Sequence, residues 1–157
     1  MTNFSIPSLS KDLPIITVRP FHIYGPYEEK TRLIPNLINK LIKGLPIDLV
    51  SPKISRDMLY IDDCIDLFCK IAEKKIKNGR IYNMGSGHQT TIKDIVNTAK
   101  FLINSQSQLN WNKMQNRIWD QEIWLSDMNL VKKEIHWKHK YDIRQGLTKT
   151  IKWHKNY

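Results

Sequence analysis

Apolar residues follow two spacings along the chain, one typical of short strands and one typical of amphipathic helices. A β-branched run predicts a first strand from Ile15 to Arg19, after an irregular lead-in at residues 1–14 that is rich in Ser, Pro and Asn. A Tyr-Gly-Pro turn at residues 24–26 cannot continue this strand. Apolar residues then recur at helical spacing from Leu33 to Ile42, and Gly44 stops this first helix.

The next stretch predicts extended backbone and then a second helix. Residues 46–61 indicate two short extended segments around a Ser-Pro turn. Asp62 or Asp63 is placed to cap a helix that ends at Asn78 and Gly79. The apolar face expected for this helix consists of Ile65, Phe68, Ile71 and Ala72.

The second half of the chain continues the alternation. Residues 80–84 predict a strand that breaks at a Gly-Ser-Gly turn, and Thr91 to Asp94 resembles a capping box at the start of a helix. A Trp-rich stretch at 117–127 is predicted to be extended. A short helix from Ser126 to about His136 and a last helix from Asp142 to about His154 follow. Because strands alternate with helices, we expect an α/β fold.

Length and composition indicate one ordinary domain. The 157 residues are 41% hydrophobic, and the two cysteines favour a reducing cytoplasm over a disulfide framework. No apolar run approaches the roughly 20 residues that span a bilayer, so no membrane partner is expected. The net charge of +10 favours anionic partners. The lysines are scattered over positions expected on solvated helix faces, which argues against nucleic acid as the partner.

Three stretches carry residue types that suit a phosphorylated ligand. Arg56 has a guanidinium fork that matches phosphate oxygens, although a surface ion pair with Asp57 beside a helix cap explains the same residues. Arg117 and Asp120 form either a surface pair or a clamp in which the arginine binds phosphate and the acid binds ribose hydroxyls. The Gly-Ser-Gly turn precedes a helix and so could bind an anion, but such turns more often bind nothing.

Several catalytic arrangements are missing from the sequence. No G-x-G-x-x-G fingerprint, P-loop or G-x-S-x-G elbow occurs. The five histidines show no metal-ligand spacing with cysteine or carboxylate, so no metal site is expected. Residue by residue, no catalytic centre emerges.

Taken in order, the motifs resemble the C-terminal half of the extended short-chain dehydrogenase/reductases, the NAD-dependent nucleotide-sugar epimerase and dehydratase family. The segments that carry the resemblance are TVRPFHIYGP, LIPNLINKLIKGLPI, SRDMLYIDDCIDLF, GRIYNMGSGHQTTIKDI, RIWDQEIWLSDMNLVKKEIHW and IRQGLTKTIKW. It implies a Rossmann-type α/β fold to which this chain contributes a small mixed sheet and several helices, without the N-terminal NAD-binding βαβ units. Residues 15–157 would then form a substrate-binding lobe with the last strands of that sheet.

The resemblance also implies substrate contacts. Arg56 and Arg117 match the two arginines that contact the nucleotide diphosphate in the family, and Asp120 matches the acid near the ribose. His22 stands where the family has an asparagine that contacts the sugar-diphosphate substrate. No residue of this chain matches the catalytic Tyr-x-x-x-Lys.

The cofactor assignments rest on the same resemblance. Tyr24 and Pro26 belong to the Tyr-Gly-Pro turn, which in the family lies at the edge of the cofactor and sugar pockets, and we assign them to cofactor binding. The full-length family uses NAD or NADP. This chain lacks the glycine fingerprint and is expected to bind neither by itself.

Two functions remain open at this point, and a third, a basic nucleic-acid-binding domain, is motivated only by the charge of +10. The first is the substrate-binding portion of a nucleotide-sugar epimerase or dehydratase, inactive alone, with a nucleoside-diphosphate sugar as its ligand. The second is a stand-alone truncated module that binds a nucleotide or a partner without catalysis. Because the strands near Ile15 and at 80–84 would pair with the absent sheet, we expect the isolated chain to form homo-oligomers through exposed strand edges or helices.

Overall fold

The computed structural model of the chain describes residues 15–74, 76, 79–114 and 123–156, and all elements below lie within these ranges. The strands are β1 (Thr17–Pro20), β2 (His22–Tyr24), β3 (Ile47–Asp48), β4 (Ser55–Tyr60), β5 (Ile81–Met84), β6 (Gln89–Thr91) and β7 (Leu109–Asn110). The helices are α1 (Leu33–Ile42), α2 (Ile61–Glu73), α3 (Ile92–Ile103), α4 (Asn129–Ile135) and α5 (Ile143–Asn156).

The described strands form three small sheets. β1 pairs with β5 in parallel, β2 pairs with β4 in parallel, and β6 lies antiparallel to β4. β3 and β7 form a separate parallel pair. Phe21 lies between β1 and β2 and donates its N–H to the Met84 carbonyl at 2.9 Å, so the chain leaves the first sheet here and enters the second. The predicted α/β fold with a small mixed sheet is confirmed.

Two apolar clusters form the core. The first lies between the β2–β4 sheet and helices α1, α3 and α5, and it includes Tyr24, Ile38 and Leu147. The second lies between the β1–β5 pair and helices α2 and α4, around Leu67 and Tyr82. β4 is buried at every position and contributes residues to both clusters. This strand therefore connects the two parts of the core.

Asp57, in the middle of β4, joins segments that are distant in sequence. Its buried carboxylate accepts hydrogen bonds from the N–H and hydroxyl of Ser86, both at 2.6 Å, and from the N–H of Gly87 at 3.1 Å. Ser126 donates its N–H at 3.0 Å and also its hydroxyl. A buried carboxylate is stable when its oxygens are saturated in this way. Gly85 is required beside it, because an added Cβ would lie 2.6 Å from Asp57 Oδ2.

Asp63 fixes the loop before α5, in contrast to the capping role predicted from the sequence. Its buried carboxylate accepts the backbone N–H groups of Lys140 and Tyr141 at 2.8 and 3.0 Å. Asp62 instead pairs with Lys149 at 3.1 Å. Neither acid caps α2, so the predicted cap was wrong. The sequence showed two acids at a helix start but not their distant partners.

The buried face of α2 also differs from the predicted one. Ile71 is buried as predicted, whereas Ile65 and Phe68 are 54% and 47% exposed. Cys64 and Leu67 lie on the buried side instead. α2 carries apolar residues on two neighbouring faces, and periodicity alone does not show which of them packs on the sheet.

Some boundaries shift by a few residues. α2 ends before Lys74, whose backbone is already extended with a ψ of 140°, and not at the predicted stop at 78–79. α4 begins at Asn129, three residues later than predicted, because Ser126 is bound to Asp57. The second shift follows from a contact that lies outside the local pattern.

Other predictions hold. α1 has the predicted bounds. The hydroxyl of Thr91 accepts the N–H of Asp94 at 3.0 Å and donates to its carboxylate at 2.6 Å, which confirms the cap of α3. β1 begins at Thr17, two residues after Ile15. The lead-in at 1–14 lies outside the described residues.

Asp57→Asn tests the anchoring role of this carboxylate. The amide replaces one acceptor oxygen by a donor that faces other donors, and we expect the free energy of unfolding to fall by about 3 kcal/mol. Urea unfolding followed by tryptophan fluorescence measures the loss. Asp62→Asn, which removes only a pair with Lys149, is the matched control and should cost less than about 1 kcal/mol. Equal losses in the two variants would contradict the role of Asp57.

Candidate functional site

A cavity of 240 Å³ opens between β2, β4, α1 and the segment after β3. His22 and Arg56, predicted from separate motifs, both line it. Arg32, Asn36 and Asp48 add further polar groups. The rest of the wall is largely apolar and comes mostly from α1 and residues 47–54. The structure therefore brings two of the four predicted substrate contacts together.

The register of the sheet explains why these two residues meet. β2 and β4 run in parallel, with His22 opposite Met58. Side chains along a strand alternate between its faces, so Arg56, two positions before Met58, lies on the same face as His22. Strand pairing thus places two motifs that are distant in sequence on one cavity wall.

Arg56 is held in place by the neighbouring backbone. Its guanidinium Nη1 donates a hydrogen bond to the Ser55 carbonyl at 2.9 Å. Its side chain is largely shielded, since the residue is 8% exposed. Asp57 is buried as well, which excludes a surface ion pair as the explanation of the Arg-Asp motif. Adjacent residues of a strand point to opposite faces. Arg56 therefore faces the cavity, whereas Asp57 faces the other side of the sheet and binds Ser86 and Ser126.

Tyr24, assigned to cofactor binding, has its ring in the core. The ring packs edge-on against Tyr60, with 5.7 Å between the ring centroids. Gly146 of α5 leaves room for it, because an added Cβ would lie 2.8 Å from Tyr24 Cζ. Burial raises the pKa of Tyr24 well above its usual range. Pro26 is half-buried in the turn, and cofactor contact by either residue stays a prediction.

Arg117 and Asp120, the other two predicted substrate contacts, lie outside the described residues, and their roles stay predictions. Met114, the last described residue before them, lines the cavity of 240 Å³. Of the stretch predicted to be extended at 117–127, residues 123–127 are described, and they form no strand.

Glu28 is a buried carboxyl group that sequence reasoning missed. It lines a second hollow of 330 Å³, which shares His22 and Arg32 with the first cavity. Its Oε2 atom is buried without a hydrogen-bond partner among the described residues. Burial raises the pKa of Glu28 from 4.5 to about 7, and the charge of Arg32 opposes this only in part. Glu29 beside it is exposed, and two adjacent glutamates give no sequence signal of which one is buried.

The Tyr-Gly-Pro turn has a steric reason for its glycine. Gly25 has a φ of 149°, and an added Cβ would lie 2.5 Å from Ile61 Cγ2 at the start of α2. Tyr27 follows with a φ of 64°, which is uncommon for a residue other than glycine. The turn therefore packs closely against the start of α2. Glu28, which follows the turn, lines the hollow beside His22.

The structure was also searched for metal and membrane features. Within the described ranges, no group of three or more His, Cys, Asp or Glu side chains is arranged to hold a metal ion. No helix in those ranges is long and apolar enough to cross a membrane. Both cysteines are free, with Cys64 buried and Cys69 exposed.

Glu28→Gln tests the buried carboxyl through the pH dependence of stability. Between pH 4.5 and about 7, the folded protein holds a proton that the unfolded chain releases. This contribution to stability is complete below pH 4.5 and is lost as the pH rises through about 7. The glutamine variant should lack that loss in thermal unfolding over the same pH range. Glu29→Gln, at the exposed neighbour, should keep the wild-type dependence, and an unchanged profile for Glu28→Gln would contradict the assignment.

Known proteins match the chain over most of its length. A sequence model of the NAD dependent epimerase/dehydratase family matches residues 8–85. The trifunctional UDP-glucose 4,6-dehydratase/UDP-4-keto-6-deoxy-D-glucose 3,5-epimerase/UDP-4-keto-L-rhamnose-reductase of Arabidopsis thaliana is 30% identical over 148 residues, which are 92% of this chain and 22% of that protein. Human dTDP-D-glucose 4,6-dehydratase is 30% identical over 155 residues, 90% of this chain and 42% of that protein.

The fold is similar to that of the UDP-glucuronic acid 4-epimerase of Bacillus cereus, solved in complex with UDP-glucuronic acid and NAD. The TM-score is 0.85 at 22% sequence identity, over 92% of this chain and 46% of the other. The chain therefore spans less than half the length of these relatives. Its motifs, its sequence relatives and its fold agree: the chain belongs to the NAD-dependent epimerase/dehydratase family of extended short-chain dehydrogenase/reductases.

Proposed function

We propose that this chain is the substrate-binding portion of an NAD-dependent nucleotide-sugar epimerase or dehydratase and binds a nucleoside-diphosphate sugar in the cavity between the β2–β4 sheet and α1. The observation that carries the proposal is that His22 and Arg56 line one cavity of 240 Å³. The family resemblance assigns these two residues to the same ligand. The names of the relatives, which refer to UDP- and dTDP-sugars, support this class of substrate.

The chemistry of the cavity suits such a ligand. The planar guanidinium of Arg56 presents paired N–H donors to two phosphate oxygens. Shielding from water strengthens these charged hydrogen bonds. The imidazole of His22 can donate to a phosphate or bond a sugar hydroxyl. The apolar wall formed by α1 and residues 47–54 offers a surface for the ribose and base.

In the proposal, two further residues complete the site. Arg117 binds the diphosphate together with Arg56, and Asp120 accepts hydrogen bonds from the ribose hydroxyls. Arg117 follows Met114, a residue of the cavity wall, by three positions in the sequence. That proximity along the chain supports the assignment.

The Gly-Ser-Gly turn is not free to bind the diphosphate of NAD. The single Gly-x-Gly turn of the sequence, Gly85 to Gly87, would have to offer its backbone N–H groups to the cofactor. Those of Ser86 and Gly87 are already bonded to Asp57. No Tyr-x-x-x-Lys occurs in the sequence either. We therefore infer that this chain alone binds the nucleotide sugar without converting it.

The alternative is a stand-alone binding module that uses the same cavity. The two proposals differ in what accompanies the chain in the cell. An in-frame stretch upstream in the coding DNA that encodes NAD-binding βαβ units would favour the enzyme portion. A stop codon at that place would favour the module.

Titration with UDP-glucose and with dTDP-glucose tests the proposal by thermal shift and calorimetry. We expect at least one of them to stabilise the chain. Arg56→Lys should weaken binding roughly tenfold, because a point charge does not replace paired donors. Arg144→Lys, at an exposed arginine of α5 outside the cavity, is the matched control and should bind normally.

Arg56 is buried, so a folding check accompanies that variant. Circular dichroism should show the wild-type spectrum for Arg56→Lys. His22→Gln, at a half-buried position, provides a second variant with the same expected direction. No stabilisation by either sugar nucleotide, or equal weakening by the two arginine variants, would contradict the proposal.

We also propose that the isolated chain forms homo-oligomers through Ile65 and Phe68, the exposed apolar residues of α2, and the open strand edges of the β1–β5 pair. Within the described residues, β1 and β5 pair only with each other, which leaves unpaired edges. Phe68→Glu should shift the mass measured by light scattering towards the monomer. Phe101→Glu, on α3 with 72% of the phenylalanine exposed, is the control and should not. A wild-type chain that is monomeric at high concentration would contradict this proposal.

A further inference from the structure

Another cavity, of 390 Å³, lies between the Gly-Ser-Gly turn, α4 and the loop after α4. We call it the histidine cavity, because His88 and His139 line it together with Lys132, Lys138 and Ser86. No carboxylate occurs among its described lining residues. It shares no lining residue with the cavity formed by His22 and Arg56 and is a separate site.

His88 and His139 lie next to backbone segments that the buried carboxylates of Asp57 and Asp63 bind. Their rings meet edge-on, with 5.2 Å between the centroids. His88 follows the turn whose N–H groups bond Asp57. His139 precedes Lys140, whose N–H bonds Asp63 at 2.8 Å. The backbone positions of both histidines are therefore held by the fold before any ligand arrives.

The floor of the histidine cavity is apolar and rigid. Met128 and Trp137 are both buried and line it. The indole Nε1 of Trp137 already donates to Asp66 at 2.7 Å, which fixes the ring. The polar groups that remain to meet a ligand are thus the cationic and donor groups around the opening.

The charges around His139 favour an anion. Burial lowers the pKa of His139, and the neighbouring charges of His88 and Lys138 lower it further. Asp63 and Asp57 act in the opposite direction, but each is already engaged by backbone N–H groups. An anion in the cavity would stabilise the protonated imidazole and relieve the repulsion between these cations.

We propose that the histidine cavity binds a phosphate group of a small anionic ligand, at a second site separate from the nucleotide-sugar cavity. Lys132 and Lys138 supply positive charge, and the two imidazoles supply directional donors. A phosphate carries the charge and the several acceptor oxygens that such a set of donors can satisfy. A volume of 390 Å³ also falls within the range of roughly 300–1,000 Å³ common for small-molecule sites.

Titration of the whole chain with inorganic pyrophosphate, followed by NMR of the histidine ring protons, tests this site. His139→Gln and His88→Gln assign the two signals. We expect both signals to shift on binding, and the pKa of His139 to rise. Binding should weaken as the pH is raised and the His139 imidazole loses its proton.

A matched pair of lysines on α4 distinguishes specific binding in the histidine cavity from general electrostatic attraction of an anion to a basic chain. Lys132 lines the cavity and Lys133 does not, and both are exposed, so that either alanine variant should fold. Lys132→Ala should weaken pyrophosphate binding roughly fivefold and Lys133→Ala by much less. Equal weakening by both variants would overturn the proposal.

The test is also independent of the nucleotide-sugar proposal. His22 reports on the other cavity, so pyrophosphate that shifts only the His22 signal binds there and would overturn the second site. In an Arg56→Lys background, the response of His88 and His139 should be unchanged. Loss of that response in this background would likewise overturn it.

Discussion

The carboxylate of Asp57 is the interaction on which the rest of the structure depends. It holds the turn at Ser86 and the segment at Ser126 against β4. On the opposite face of the same strand, Arg56 points into the cavity that we propose for the nucleotide sugar. One face of this strand thus carries the anchoring carboxylate, and the other carries the arginine of the proposed ligand site. The same anchor positions the turn that carries His88, so both proposed sites depend on it.

The two cavities differ in how their charge is arranged. The nucleotide-sugar cavity combines a shielded arginine with an apolar wall, and the hollow beside it contains a carboxyl group that titrates near neutral pH. The histidine cavity is lined by exposed lysines and paired imidazoles over an apolar floor. The first arrangement suits a diphosphate ligand whose base can lay a flat ring face against the apolar wall. The second suits a compact phosphate, because charge and donors dominate it.

Local patterns in the sequence predicted most of the elements, and long-range contacts account for the errors. The capping box at Thr91 and the bounds of α1 depend on neighbouring residues, and both are confirmed. Asp63 was misassigned because its partners at Lys140 and Tyr141 are distant in sequence. The exposure of Phe68 depends on which of two apolar faces meets the sheet, and no local pattern encodes that. The meeting of His22 and Arg56 needed the register of β2 and β4, while the family resemblance named both residues without it.

A crystal structure of the chain with UDP-glucose or dTDP-glucose tests the central claim most directly. The account predicts the diphosphate within hydrogen-bond distance of the Arg56 guanidinium, with His22 beside the phosphate or the sugar and the base against the apolar wall from α1. It also predicts that the bonds from Ser86 and Ser126 to Asp57 persist in the complex. A sugar nucleotide bound elsewhere on the chain, with the cavity between the β2–β4 sheet and α1 empty, would contradict it.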